Sequence, residues 1–328
     1  MSNINVGVAS GLSTLGENRD IVFKVDKKRF AELMHGYLKD YKSVTQKEFF
    51  KIIHFVLEEM RGDDVDKKKI IFYHIHNPGT TSHFRYTNLF SSARDLMMIR
   101  NWLQSLESWM HSIVPEIEQK PETNESNYRI RLNTFRVTYK KMLGKIDTRI
   151  FYLRVLFFTS KDMAAVKLED VKNTPEPTMR AVASWMGIEY DESLLKAEFM
   201  GEKFHSNKSK LNPTISEFDK KAIKRKVGVL FSHSDAVLLN TVLRPWNETF
   251  EYEEGEFKYV SVEEALVMNE NIMDWERKLI DFFEITEEDA LKSIKYRKQK
   301  LALALNTQEQ VYEELKKIRL IKPEGMDE

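Results

Sequence analysis

Arg100 closes the apolar run Asp95-Leu-Met-Met-Ile99 and is followed by Asn101-Trp102-Leu-Gln-Ser-Leu-Glu-Ser108-Trp109. An arginine at a strand end, with a serine two turns into the next helix, suits a phosphate monoester. The guanidinium fork binds two oxygens and the hydroxyl supplies a further hydrogen bond. Taken alone, the same arginine fits equally a surface or salt-bridged residue. A second group is histidine: His74 and His76 end the run Ile70-Ile-Phe-Tyr-His-Ile-His76, with His83 nearby. A neutral imidazole accepts a proton from a hydroxyl near neutral pH. On spacing, His76 fits either such a base or an inert hydrogen-bonded strand end. A metal reading of the three histidines lacks a carboxylate to complete the ligand set.

These residues need elements to hold them. Ile70–His76, ending at Asn77-Pro78-Gly79, predicts a buried strand closed by a turn. Asp95–Ile99 predicts a second strand, with a helix from Leu103 to Met110, and Ala165–Leu168 a third that feeds Glu169-Asp170. The next helix is punctuated by Thr174 as cap, Pro175 at its first position and Gly187 past its end. Upstream, Thr45–Met60 predicts an amphipathic helix, with Phe49, Ile52, Ile53, Val56 and Met60 on one face and Thr45 with Glu48 as a capping box. Strands alternating with helices predict an α/β fold with a mostly parallel sheet. Ligands of such sheets sit beyond the carboxyl ends of the strands, where His76 and Arg100 fall. From Val260 the pattern is helical, over Val262–Phe283 and Glu287–Ile318. The expected division is an α/β domain over 1–259 and a helical C-terminal extension over 260–328. Residues 1–20 predict a loop and Lys322–Glu328 a frayed end.

Composition narrows the function classes. Of 328 residues, 42% are hydrophobic and 31% charged, which is a globular rather than a disordered composition. Lys plus Arg and Asp plus Glu are 51 each, so no global excess of positive charge points to nucleic acid. With no cysteine, thiolate metal sites, disulfides and cysteine nucleophiles are excluded. No signal peptide and no bilayer-length apolar run is evident, and a cytoplasmic protein is the expectation.

Taken together, these segments resemble PAPS-dependent sulfotransferases of the bacterial type. Arg100 and Ser108 match the family's 3′-phosphate motif, strand-Arg-Asn-Pro followed by a helical Ser, with Trp102 at the proline position. His74-Ile-His76-Asn-Pro78 resembles the Lys-Thr-His-x-Pro segment, which aligns His76 with the general base and His74 with the lysine. Val166-Lys-Leu168-Glu169-Asp170 through Trp185-Met-Gly187 resembles the Tyr-Glu-Asp-Leu strand and its helix, with Leu168 at the tyrosine position. Met200-Gly201-Glu-Lys203 resembles a loop placed over the nucleotide; Gly201 permits close backbone approach and Lys203 can reach the 3′-phosphate. As a bare segment it fits a solvated basic loop equally well. Glu169 and Asp170 are expected to be structural, capping the next helix or pairing with a nearby base.

The resemblance covers Ile70 to about Tyr252 and implies a P-loop-like three-layer sandwich with PAPS as co-substrate and no metal. It further implies a small-molecule, lipid or glycan acceptor. The family's Ser-Gly-Thr-type loop for the 5′-phosphosulfate has no counterpart in Met1–Lys69, which fits a late gene start or a lost loop. Asn77-Pro-Gly-Thr-Thr81 is a lookalike, but it carries no Lys or Arg and sits too close to Arg100. Two functions follow: sulfuryl transfer from PAPS to a hydroxyl or amine, or a truncated or diverged non-catalytic relative acting in binding or assembly. A P-loop kinase is disfavoured by the absence of a G-x-x-x-x-G-K-[ST] string. The long charged C-terminal helices suggest a homodimer.

Overall fold

The computed structural model describes residues 16–18, 25–67, 70–72, 88–111, 128–156, 162–196, 198–199, 202–203, 218, 220, 223 and 226–325. The chain divides into two compact units, Met1–Ala93 with Gly187–Asp219, and Arg94–Met186 with Lys220–Glu328.

In the first unit, α1 (Lys27–Leu38) and α2 (Gln46–Met60) pack together. Thr45 and Glu48 form the expected capping box, satisfying two backbone N–H groups that a helix start leaves without partners. Ile52 and Val56, one turn apart, are the buried residues of α2, and Tyr37 of α1 donates to Glu59 Oε2 at 2.9 Å. Residues 70–72 differ from the expected strand. Among the described residues they form no sheet pairing, and Phe72 is 72% exposed. A short apolar run looks the same whether or not a partner strand exists to bury it. Its remainder, 73–76, lies outside the described residues. A two-residue antiparallel pair, Glu198–Phe199 with Glu202–Lys203, completes the described part of this unit.

The second unit is mixed α/β and mostly helical, around a small parallel sheet of three strands. In chain order it runs β1 (Asp95–Ile99), α3 (Trp102–His111), α4 (Tyr128–Leu156), β2 (Met163–Lys167), α5 (Leu168–Asn173) and α6 (Pro175–Met186). After the excursion into the first unit come α7 (His233–Val242), α8 (Arg244–Thr249), α9 (Val262–Asn269), α10 (Asp274–Phe283), α11 (Glu287–Leu305) and α12 (Gln308–Leu315), then β3 (Arg319–Ile321). The strand order is β1-β2-β3, with Ile99 opposite Lys167 and Val166 opposite Ile321. All three carboxyl ends therefore lie on one edge. The segment from 260 onward is helical until it returns to the sheet as β3.

Side-chain alternation along β2 splits the core in two. Ala165 faces a large cluster with Leu103, Leu106 and Met110 of α3, Phe135, Tyr139, Met142 and Ile146 of α4, and the C-terminal helices. Ala164 and Val166 face a smaller cluster with Val182 of α6 and Ile321 of β3. Helices thus cover both faces of the sheet. Trp102, 3% exposed, packs its ring 4.8 Å from that of Trp246 at a tilt of 53°, which ties the start of α3 into the large cluster.

Strand β2 begins and ends earlier than expected, because Leu168 opens α5 instead of closing the strand. Pro175 begins α6 and Gly187 ends it at φ 72, a conformation glycine adopts without steric cost. The Thr174 hydroxyl donates to the Asp170 carbonyl at 3.2 Å, and the Thr174 carbonyl accepts from Thr178 N–H at 3.1 Å. Lys322 at the expected frayed end pairs with Glu251 at 2.8 Å, and Glu324 N–H donates to the Pro177 carbonyl at 3.2 Å.

Candidate functional site

The carboxyl edge of the sheet gathers Arg100 after β1, Lys167 at the end of β2 with Glu169 just beyond it, and Lys322 after β3. Tyr252 and Glu251, in the turn that follows α8, close over this edge. Lys167 Nζ donates to the Glu251 carbonyl at 3.0 Å and lies 5.0 Å from the centre of the Tyr252 ring. Glu251 holds a left-handed backbone at φ 54, and Tyr252 N–H bonds the Asn247 carbonyl at 2.7 Å.

Arg100 is half-buried, and its Nε and Nη2 both donate to Gln104 Oε1, at 3.1 and 2.9 Å. Gln104 in turn donates from Nε2 to the Ile223 carbonyl at 3.2 Å. Its own backbone N–H is capped by Asn101 Oδ1 at 3.0 Å. Ser108 lies one turn beyond Gln104, and residues four apart share a helix face, so Gln104 and Ser108 lie on a common face of α3. Arg100 stands at the strand-to-helix corner, and Ser108 lies two turns further along α3.

Glu169 does not cap the helix that follows it. Its Oε1 accepts from Asn101 N–H at 3.0 Å, at the start of α3, and its Oε2 accepts from the Tyr252 hydroxyl at 2.9 Å. The donors that α3 could offer an anion through Asn101 and Gln104 are therefore already engaged within the protein. Burial, and then the Glu169 carboxylate, push the Tyr252 hydroxyl far above the ordinary tyrosine value, so it remains a protonated donor. Burial likewise pushes the Asp170 carboxyl up, opposed by Lys167 and reinforced by Glu169 and Glu251.

Lys203 belongs to the first unit, where its ammonium lies 3.2 Å from Glu17 Oε2 and its carbonyl accepts from Gly16 N–H at 3.0 Å. Both partners of that ion pair are exposed, which makes it weak. His74, His76, His83 and Gly201 lie outside the described residues. Among the described residues no group of three or more His, Asp or Glu is arranged to hold a metal ion, and no helix is long and apolar enough to cross a membrane.

Gln104 and Tyr252 were not singled out by sequence reasoning. Gln104 carries a signal, because it lies four residues from both Arg100 and Ser108. Tyr252 carries none, because its partner Glu169 is 83 residues away. No family model, no curated protein and no solved structure gives a significant match to this chain.

Proposed function

We propose that this chain binds PAPS and transfers its sulfuryl group to a hydroxyl or amine of a small-molecule, lipid or glycan acceptor. The observation that carries this reading is the position of Arg100, directly after β1 at the carboxyl edge of a parallel sheet, with Ser108 two turns along the helix that follows. In that role Arg100 and Ser108 hold the 3′-phosphate, while a role for Gly201 and Lys203 toward the nucleotide rests on the sequence resemblance alone. His76 accepts the acceptor's proton as the acceptor oxygen or nitrogen attacks sulfur. The bond from sulfur to the bridging phosphate oxygen breaks, and PAP leaves with that electron pair. The rate enhancement comes from positioning and electrostatics, and no metal is needed. Helices on both faces of the sheet support the P-loop-like three-layer architecture that goes with this function.

A second reading is a diverged, non-catalytic relative that acts in binding or assembly. It is favoured by the start of α3, where Asn101 N–H is bonded by Glu169 and Gln104 N–H by Asn101. Calorimetric titration of the full chain with PAP, beside Arg100→Ala, separates the two. Saturable binding that the substitution removes supports the nucleotide site. A folded chain that binds no PAP leaves the second reading.

A further inference from the structure

We infer that Tyr252 is a positioning residue for Arg100, acting through a chain of hydrogen bonds along the carboxyl edge of the sheet that is joined through the covalent frames of Asn101 and Gln104. The relay starts at the Tyr252 hydroxyl, which donates to Glu169 Oε2 at 2.9 Å. The other oxygen of the same carboxylate accepts from Asn101 N–H at 3.0 Å. Asn101 Oδ1 accepts from Gln104 N–H at 3.0 Å, and Gln104 Oε1 accepts both Nε and Nη2 of Arg100. Each link fixes the next. Glu169 sets the backbone of the turn between β1 and α3, Asn101 sets the first turn of α3, and Gln104 sets the plane of the guanidinium.

Three features argue that the relay orients the arginine and is more than a packing contact. Both carboxylate oxygens of Glu169 are engaged by donors from different elements, which fixes the plane of the carboxylate as well as its location. Gln104 receives two N–H groups from one edge of the guanidinium on a single oxygen, which holds that edge toward Gln104. Tyr252 is itself held from two sides, by its backbone bond to Asn247 and by Lys167 over its ring. Pre-orientation of a planar cation matters where the ligand is bidentate, because a misaligned fork forfeits one of its two bonds.

The consequence for ligand binding rests on the nucleotide reading above, but the relay can be tested without it. The experiment uses the full chain in four forms: wild type, Tyr252→Phe, Arg100→Ala and Tyr139→Phe. Tyr139→Phe removes a tyrosine-carboxylate bond elsewhere in the same unit, from Tyr139 to Glu276 at 2.5 Å, and serves as the control for simple loss of stability. Circular dichroism establishes that each form is folded. The first readout is solvent exchange of the Arg100 Nε–H by nitrogen-15 NMR in the free protein, with the resonance assigned by its loss in Arg100→Ala. Tyr252→Phe is expected to speed this exchange by roughly three- to tenfold, the worth of one hydrogen bond, and Tyr139→Phe to leave it unchanged. The second readout is PAP affinity, expected to fall by a similar factor in Tyr252→Phe alone. Unchanged exchange in Tyr252→Phe, or equal acceleration in Tyr139→Phe, overturns the relay. Faster exchange with undiminished PAP affinity overturns its role in binding. If the wild type binds no PAP, the nucleotide reading fails, and the exchange rates still decide whether Tyr252 positions Arg100.

Discussion

Glu276 Oε2 lies 2.9 Å from Arg297 Nη2, and both side chains are fully buried. A buried ion pair survives only where the remaining donors and acceptors are also met. Arg297 donates further to the Asn269 carbonyl at 2.9 Å, to Asn269 Oδ1 at 2.5 Å and to the Asn271 carbonyl at 2.8 Å. Glu276 accepts from Met273 N–H at 2.8 Å and from the Tyr139 hydroxyl, whose ring stacks on Trp275. This cluster ties α4, α10 and α11 and the turn before α10 into one core. Arg297→Met strands a carboxylate in that core and is expected to cost about 3–5 kcal/mol, measured by urea denaturation. A loss below about 1 kcal/mol would show that the pair is incidental to stability.

Glu107 is 3% exposed and points from α3 at the segment 228–231. Its Oε2 accepts from Gly228 N–H at 2.8 Å, and its Oε1 accepts from Leu230 N–H and from Phe231 N–H, the latter at 3.3 Å. One carboxylate thus replaces the partners that regular structure would give these amides. Glu107→Ala leaves them without an acceptor and is expected to cost about 1–3 kcal/mol. Amide exchange should report it locally, with Gly228 and Phe231 losing protection before the strands do. Equal loss of protection across the whole unit would mean that the segment does not open on its own.

Local signals in the sequence carried over well where the partners are near in the chain. Thr45 with Glu48, Pro175 with Gly187, and the apolar run ending at Ile99 each specify an element within a few residues, and each is found there. What the sequence hid is long-range. Glu107, Arg297 and Glu276 are charged residues at helical spacing, which a periodicity reading assigns to solvent, yet all three are buried against partners far along the chain. Strand β3 is three residues long, too short for alternation to register, and follows an unbroken helical pattern. The site divides in the same way. Arg100 was legible from its place at a strand end, whereas Asn101 and Glu169, 68 residues apart, meet only once β1 and β2 are paired.

Asp235 gives a pH dependence whose sign can be worked out. It sits between two helix starts, accepting from Asp274 N–H at 3.0 Å, from Trp275 N–H at 3.1 Å and from Ser232 N–H at 3.4 Å. Burial pushes its carboxyl above the ordinary range despite these three bonds. In the window above the ordinary value, the folded chain keeps a proton that the unfolded chain has lost. Unfolding then releases a proton, so stability falls as pH rises through that window. The stability of wild type relative to Asp235→Asn should therefore decline as pH rises above the ordinary carboxylate value and level off once the folded carboxyl has ionised. A difference that grows with pH would mean that the backbone bonds outweigh burial.

The nucleotide reading makes its sharpest prediction at the 3′-phosphate. If Arg100 and Ser108 hold that group, their substitution should weaken PAP and leave adenosine 5′-phosphosulfate, which lacks it, almost unaffected. Arg100→Lys keeps the charge but loses the planar fork and its two parallel bonds, while Ser108→Ala loses a single hydrogen bond from an uncharged donor. The expected order is therefore a larger loss for Arg100→Lys, about tenfold or more, and a smaller one for Ser108→Ala, about three- to tenfold. Salt should separate them too, because the arginine contribution is Coulombic and screened while the hydroxyl contribution is not. Equal weakening of both nucleotides would place Arg100 at the 5′ end of the ligand instead.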